Sequence, residues 1–76
     1  MSKDFGQFYY GTAHPTTKNG RQFTSKVELI RKDTDQVVET FYGIGGSDAR
    51  AKLNGLREAQ MAAIAKGTPR DWSAKP

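Results

Sequence analysis

Seventy-six residues with no cysteine, a formal net charge of +4 and a pI near 9.6 make a single domain, without a disulfide and without a thiolate for catalysis or zinc. A domain of this size buries only about 60% of the surface its unfolded chain exposes, which leaves little room for a deep catalytic cleft. No apolar run approaches the ~20 residues of a membrane span, and MSKDFGQFYY lacks the apolar core of a signal peptide, so the chain reads as cytoplasmic and without a membrane partner.

In chain order, residues 5–12 (FGQFYYGT) are aromatic and extended in character. Lys18 to Arg21 (KNGR) contain Asn19-Gly20, a two-residue hairpin signal. Residues 22–32 follow as a second strand in which Phe23, Val27 and Leu29 alternate with Thr24, Lys26 and Glu28. KDTDQ (32–36) is a polar turn, and 36–44 form a third strand by β-branched and aromatic content. At the glycines of GIGGSD the period changes. Ala49, Leu53, Leu56, Ala63 and Ile64 form a helical stripe, which predicts a helix over 47–66. Ser47 suits its N-cap, Asp48 its dipole, and Gly67 with Pro69 its end. Gly55 in mid-helix costs about 1 kcal/mol relative to alanine, which a close helix–sheet contact would explain.

The predicted fold is therefore α+β: a three-stranded antiparallel sheet packed on one C-terminal helix, β-β-β-α. The ordered core runs over about 5–67 and a tail over 68–76. A turn centred on Asn19-Gly20 sets Tyr10 opposite Leu29 and Thr12 opposite Val27. Phe8, Tyr10, Phe23, Val27 and Leu29 then face the helix. On the third strand Val38, Tyr42 and Ile44 are the inward set, because the other choice buries Glu39 unpaired. The far sheet face then carries Tyr9, Ile30, Val37 and Phe41, covered by Trp72 folding back or open to a partner.

Catalytic chemistry finds little here. His14 is the only histidine and sits beside Pro15 in a loop, and the carboxylates are scattered. One histidine and no cysteine exclude the usual transition-metal ligand sets. The glycine stretch lacks the GK[ST] of a phosphate loop, and Asp48 stands where a dinucleotide fingerprint needs its last glycine. The sequence predicts no enzyme, no cofactor, no metal and no small-molecule substrate. Charge is more informative. Up to Gly43 six basic residues face five acidic ones, whereas from Ile44 onward six face three, so the excess lies on the helix and tail.

Gly43-x-Gly45-x-Ser47, followed by Ala51-Lys52, resembles the strand-to-helix junction of double-stranded RNA-binding domains. Gly11-Thr12-Ala13-His14 is similar to that family's G-x-x-H loop, and Phe23-x-x-x-Val27 to its second strand. The likeness covers about residues 8–66. The family's first helix has no counterpart here, and Asp48 and Ala49 stand where it places lysines. The resemblance implies a β-β-β-α topology and a helix start that meets phosphate.

Two functional readings follow. In the first, a small basic nucleic-acid-binding module contacts the RNA or DNA backbone. Gly46 and Ser47 would offer backbone N–H groups at the helix start, with Arg50 and Lys52 beside them, and Lys18 and Arg21 would reach a second phosphate from the hairpin. In the second, a protein-binding module, or an inhibitor of the kind phages and mobile elements encode, uses the open sheet face against an acidic protein surface. Its anchors would be Tyr9, Ile30, Phe41 and Trp72.

Overall fold

A computed structural model of the chain describes residues 1–72; residues 73–76 of the expected tail lie outside the described residues. The class is α+β, an antiparallel sheet with one C-terminal helix, but the sheet has five strands rather than three. They are β1 (Ser2–Asp4), β2 (Tyr9–Ala13), β3 (Thr17–Asn19), β4 (Gln22–Arg31) and β5 (Val37–Gly45), followed by α1 (Asp48–Lys66). The long β4 is the axis. It pairs with β5 along one edge and, along the other, with β3 through its first residues and β2 through its last. β1 adds outside β2.

The expected first strand, 5–12, is replaced by two short ones. Gly6 at φ 105 breaks the chain before Tyr9, and the freed N-terminus returns as β1. β2 and β3 together read as one strand interrupted at Pro15. Proline has no N–H to give to a ladder. On either side of it the bonding continues: His14 N–H donates to the Lys26 carbonyl at 2.8 Å, and Ser25 Oγ donates to the His14 carbonyl at 2.9 Å.

That interruption reverses the expected faces of β2. The hairpin turns on Gly20-Arg21, with Asn19 paired to Gln22, rather than on Asn19-Gly20. This displacement alone keeps the even-numbered residues inward. The extra residue absorbed between Ala13 and Thr17 does not: Ala13 pairs with Val27, Gly11 with Leu29 and Tyr10 with Ile30. Every side chain of β2 is therefore turned to the opposite face. Tyr9, expected on the open face, is 6% exposed in the helix-facing core, and Tyr10 looks outward.

β5 is reversed as well. Phe41 pairs with Val27 and packs on the core, while Tyr42 and Ile44 are 59% and 50% exposed. The inward choice of Val38, Tyr42 and Ile44 assumed that Glu39 would otherwise be buried without a partner. Glu39 does lie on the helix side, but at the sheet's end, where Lys66 of the last helical turn meets it at 3.2 Å. A bulge between Leu29 and Ile30 takes up Val38.

Helix α1 lies unusually close to the sheet. Its buried residues are Ala51, Gly55, Leu56, Ala59 and Ala63, a stripe of mostly small side chains repeating every four residues. Of the expected stripe only Leu56 and Ala63 are inside; Ala49, Leu53 and Ile64 face solvent. The cause is backbone contact. A β-carbon on Gly43 would fall onto the Ala51 carbonyl and the Gly55 amide, 2.7 Å from Gly55 Cα, and one on Gly55 would lie 2.5 Å from Val27 Cγ2. A helix pressed this near can only present small residues to the strand beneath it. The larger Leu56 descends beside it, over Gly11, into Tyr9, Val27 and Leu29.

The polar turn after β4 forms as expected. Arg31 N–H donates to the Gln36 carbonyl, and Asp35 takes the left-handed conformation at φ 58 that short polar side chains tolerate. Arg31, 13% exposed, grips the buried Asp33 carboxylate through two nitrogens at 2.6 and 2.9 Å and holds Asp71 at 2.9 Å. Asp71 brings Trp72 edge-on to Phe8, with ring centroids 4.8 Å apart. Phe8 itself packs on the helix-side core, so the Trp72 ring docks there rather than on the open sheet face. Among the described residues no helix is long and apolar enough to cross a membrane.

Candidate nucleic-acid interface

The β3–β4 hairpin and the start of α1 lie at one end of the molecule. Phe23 pairs with Gly45, two residues before the N-cap, and Thr16 Oγ1 donates to Asp48 Oδ1 at 2.5 Å. Gly20 turns the hairpin at φ 65. Lys18 stands over the Phe23 ring, 5.6 Å from its centroid, and Arg21 occupies the tip. Arg50 is exposed on the first helical turn, its β-carbon close above Gly45. Lys18, Arg21 and Arg50 are thus brought to the same end, as the first functional reading requires.

Other parts of that reading are altered. One N–H of the helix N-terminus is capped from within the chain: Ser47 Oγ accepts the Arg50 N–H at 3.2 Å. Asp48 sets a carboxylate beside it, and Lys52 reaches back to that carboxylate at 3.2 Å. Lys52 is therefore committed inside the chain, and Ser47 is a cap. Gly46 is exposed with open space around it, so it leaves an approach unobstructed but supplies no charge. The positive end of the helix is already met by the chain's own anion.

The Thr16 hydroxyl foremost, then Lys52, holds the Asp48 carboxyl below the usual carboxylate range. A folded-state pKa lowered in this way contributes stability above the unfolded value of about 3.9, and that stability is lost as pH falls through the folded value. Titrating the Asp48 side-chain carbonyl by NMR should give a midpoint below that of an unstructured aspartate. Thr16→Val should move it upward, and an unchanged midpoint in that variant would refute the role of the hydroxyl.

Ion pairing divides the charged residues sharply. Asp4 pairs with Lys32, Glu28 with His14, Asp33 and Asp71 with Arg31, Glu39 with Lys66 and Asp48 with Lys52. Among the described residues Lys3, Lys18, Arg21, Lys26, Arg50, Arg57 and Arg70 form no ion pair, nor do the acidic Asp35 and Glu58; four of these seven cations, Lys18, Arg21, Lys26 and Arg50, belong to the hairpin end. Five of the acidic side chains thus meet a lysine or arginine of the chain, Glu28 is hydrogen-bonded to His14, and the cations of the hairpin end are left without a carboxylate partner. Among the described residues no three His, Asp or Glu side chains come together as a group able to hold a metal ion.

The sheet face away from the helix differs from the one expected. Tyr9 and Phe41 belong to the opposite side, and Trp72 rests on Phe8. Ile30 is on the open face, level with Tyr10 and Val37, but only 8% exposed. The face is built in rows: Thr17, Thr24 and Ile44 nearest the hairpin, then Lys26 and Tyr42, then Thr12, Glu28 and Thr40, then Tyr10, Ile30 and Val37. The Tyr10 hydroxyl donates to Asp35 at 3.2 Å, and desolvation, then this bond, raises the phenol above its ordinary value. Tyr42 escaped the sequence reading because the parity of β5 is reversed; Lys26 falls on the correct face there but is not singled out, its neighbour Tyr42 being assigned to the other side. The Asp48–Lys52 pair was open to discovery, since i,i+4 opposite charges on a helix meet.

Comparison with protein-family models, with curated proteins and with solved structures returned no match.

Proposed function

We propose that the protein is a nucleic-acid-binding module whose phosphate contacts come from Lys18 and Arg21 on the β3–β4 hairpin and Arg50 at the start of α1. The observation that carries this reading is the segregation of charge. The carboxylates near these cations are bound to other residues of the chain, Asp48 to Thr16 and Lys52 and Glu28 to His14, so among the described residues none pairs with Lys18, Arg21 or Arg50. The net charge of +4 acts in the same direction at longer range. The resemblance of the glycine junction to double-stranded RNA-binding domains also supports a nucleic-acid partner. The mode differs from that family's: the helix start contributes Arg50 rather than its N–H groups, because Ser47 caps one of them and Asp48 sets a carboxylate beside the rest.

Contacts of this kind position a protein on the backbone without reading sequence. Binding is therefore expected at micromolar strength or weaker, with log K falling linearly against log salt. The test is titration of fluorescent duplex DNA and duplex RNA at two salt concentrations, with the wild type and with the Lys18→Glu, Arg21→Glu, Arg50→Glu triple variant. All three side chains are outside the core, so the variant should fold, which circular dichroism checks. The triple variant should lose measurable affinity, and each single change to alanine should lower the duplex-DNA salt slope by about 0.9. If neither duplex binds at low salt, or if the triple variant binds as the wild type does, the proposal is wrong.

A further inference from the structure

We infer that the hairpin half of the open sheet face enters the major groove of duplex DNA, with Lys26 and Tyr42 as its central contacts. This rests on the nucleic-acid reading above and names the surface and duplex type that serve it. Four observations converge. The first is exposure: Tyr42 is 59% and Ile44 50% accessible, Lys26 is exposed, and Trp72 rests on Phe8 rather than on them. The second is charge. Lys26 lies in this half of the face and Arg21 at the hairpin tip beside it, whereas Lys18 stands on the other face over Phe23. The nearest carboxylate to Lys26 on its face, Glu28, is one row farther on and held by His14.

The third is chemistry. Thr17, Thr24, Lys26, Tyr42 and Ile44 form two rows of alternating hydroxyl, ammonium, aromatic and methyl groups. Base edges in a major groove offer acceptors, donors and the thymine methyl, and lysine on guanine and apolar contact with thymine are established pairings there. A protein partner of this patch would instead bury Lys26 beside its apolar neighbours, which demands a carboxylate placed against it.

The fourth is size. Three strands about 4.8 Å apart give β3, β4 and β5 a backbone width of about 10 Å, and the major groove of B-form DNA is about 12 Å wide. The face can therefore sit in that groove with Arg21, at the hairpin tip, toward a phosphate wall. The major groove of A-form RNA is too narrow for side chains to read. The same surface thus discriminates between the two duplexes.

The experiment uses matched duplexes, one DNA and one RNA, at two salt concentrations, with wild type, Lys26→Ala, Tyr42→Ala and Tyr42→Phe. Wild type should favour DNA at least tenfold. Tyr42→Ala should weaken DNA binding several-fold to tenfold with the salt slope unchanged, and Tyr42→Phe should retain much of the affinity. Lys26→Ala should lower the slope by about 0.9. Methylation of guanine N7, which lines the major groove, should interfere with binding. Equal affinity for the two duplexes, or wild-type DNA affinity in Tyr42→Ala with no N7 interference, would overturn this inference and leave the phosphate contacts standing. Absence of binding to either duplex would overturn both.

Discussion

Gly43→Ala is expected to be the most damaging single-methyl change in the molecule, costing at least about 3 kcal/mol. A domain of this size has a total stability of about 4–11 kcal/mol, so the loss removes a large part of it. The added carbon would overlap the Ala51 carbonyl and the Gly55 amide, 2.7 Å from Gly55 Cα. These are backbone atoms, and no rotamer change relieves the overlap; helix and strand must separate. Separation would withdraw Leu56 and Ala59 from Val27 and Leu29, the centre of the core. Gly46→Ala, three residues away, adds its methyl to open space and should be neutral within about 0.5 kcal/mol. Urea unfolding followed by circular dichroism compares the two. Equal midpoints for Gly43→Ala and wild type would contradict the close packing. The contrast also assigns the glycines their roles: Gly43 exists for helix–sheet contact, and anion binding need not be invoked to explain it.

The same contact marks where the sequence is informative. Strand and helix positions follow from local pattern, and β4, β5 and α1 lie within a residue of expectation. A period of two, a polar turn and a capped helix are each encoded within a few neighbouring residues. Side-chain faces are not. The parity of β2 depends on one residue absorbed at Pro15, and that of β5 on whether Glu39 finds a partner far along the chain, which Lys66 supplies. The helix stripe misled for a related reason: hydropathy selects Leu53 and Ile64, whereas close backbone approach selects Ala51, Gly55 and Ala59. For the candidate interface, Lys18, Arg21 and Arg50 were selected from charge and turn position, and the structure sets them at one end of the molecule. The pairing of Lys52 with Asp48 was not foreseen, because Asp48 was weighed as repulsion toward phosphate and not as a partner. Lys26 and Tyr42 required the true register before they could be seen together.

Leu56→Ala should cost about 3 kcal/mol, while Leu53→Ala, one helical turn earlier, should cost under about 0.5 kcal/mol. The two leucines are chemically identical and sit on the same helix, so propensity contributes equally to both changes and cancels. What differs is burial: Leu56 is 1% exposed and Leu53 40%. Truncating Leu56 removes contacts with Tyr9, Val27 and Leu29 and opens a cavity. Gly43 and Gly55 already hold the helix backbone at contact distance from β5, so the helix cannot settle further to fill it. Truncating Leu53 removes surface that water already wets. At roughly 4–8 °C per kcal/mol for a domain of this size, the melting temperature should fall by about 10–20 °C for Leu56→Ala and by no more than a few degrees for Leu53→Ala. Thermal unfolding by circular dichroism at neutral pH decides the matter. Equal losses in the two variants would mean that the helix is rotated about its axis from the position described. Such a rotation would move Arg50 and Lys52 as well, so this stability comparison also tests the helix placement on which the phosphate contacts depend.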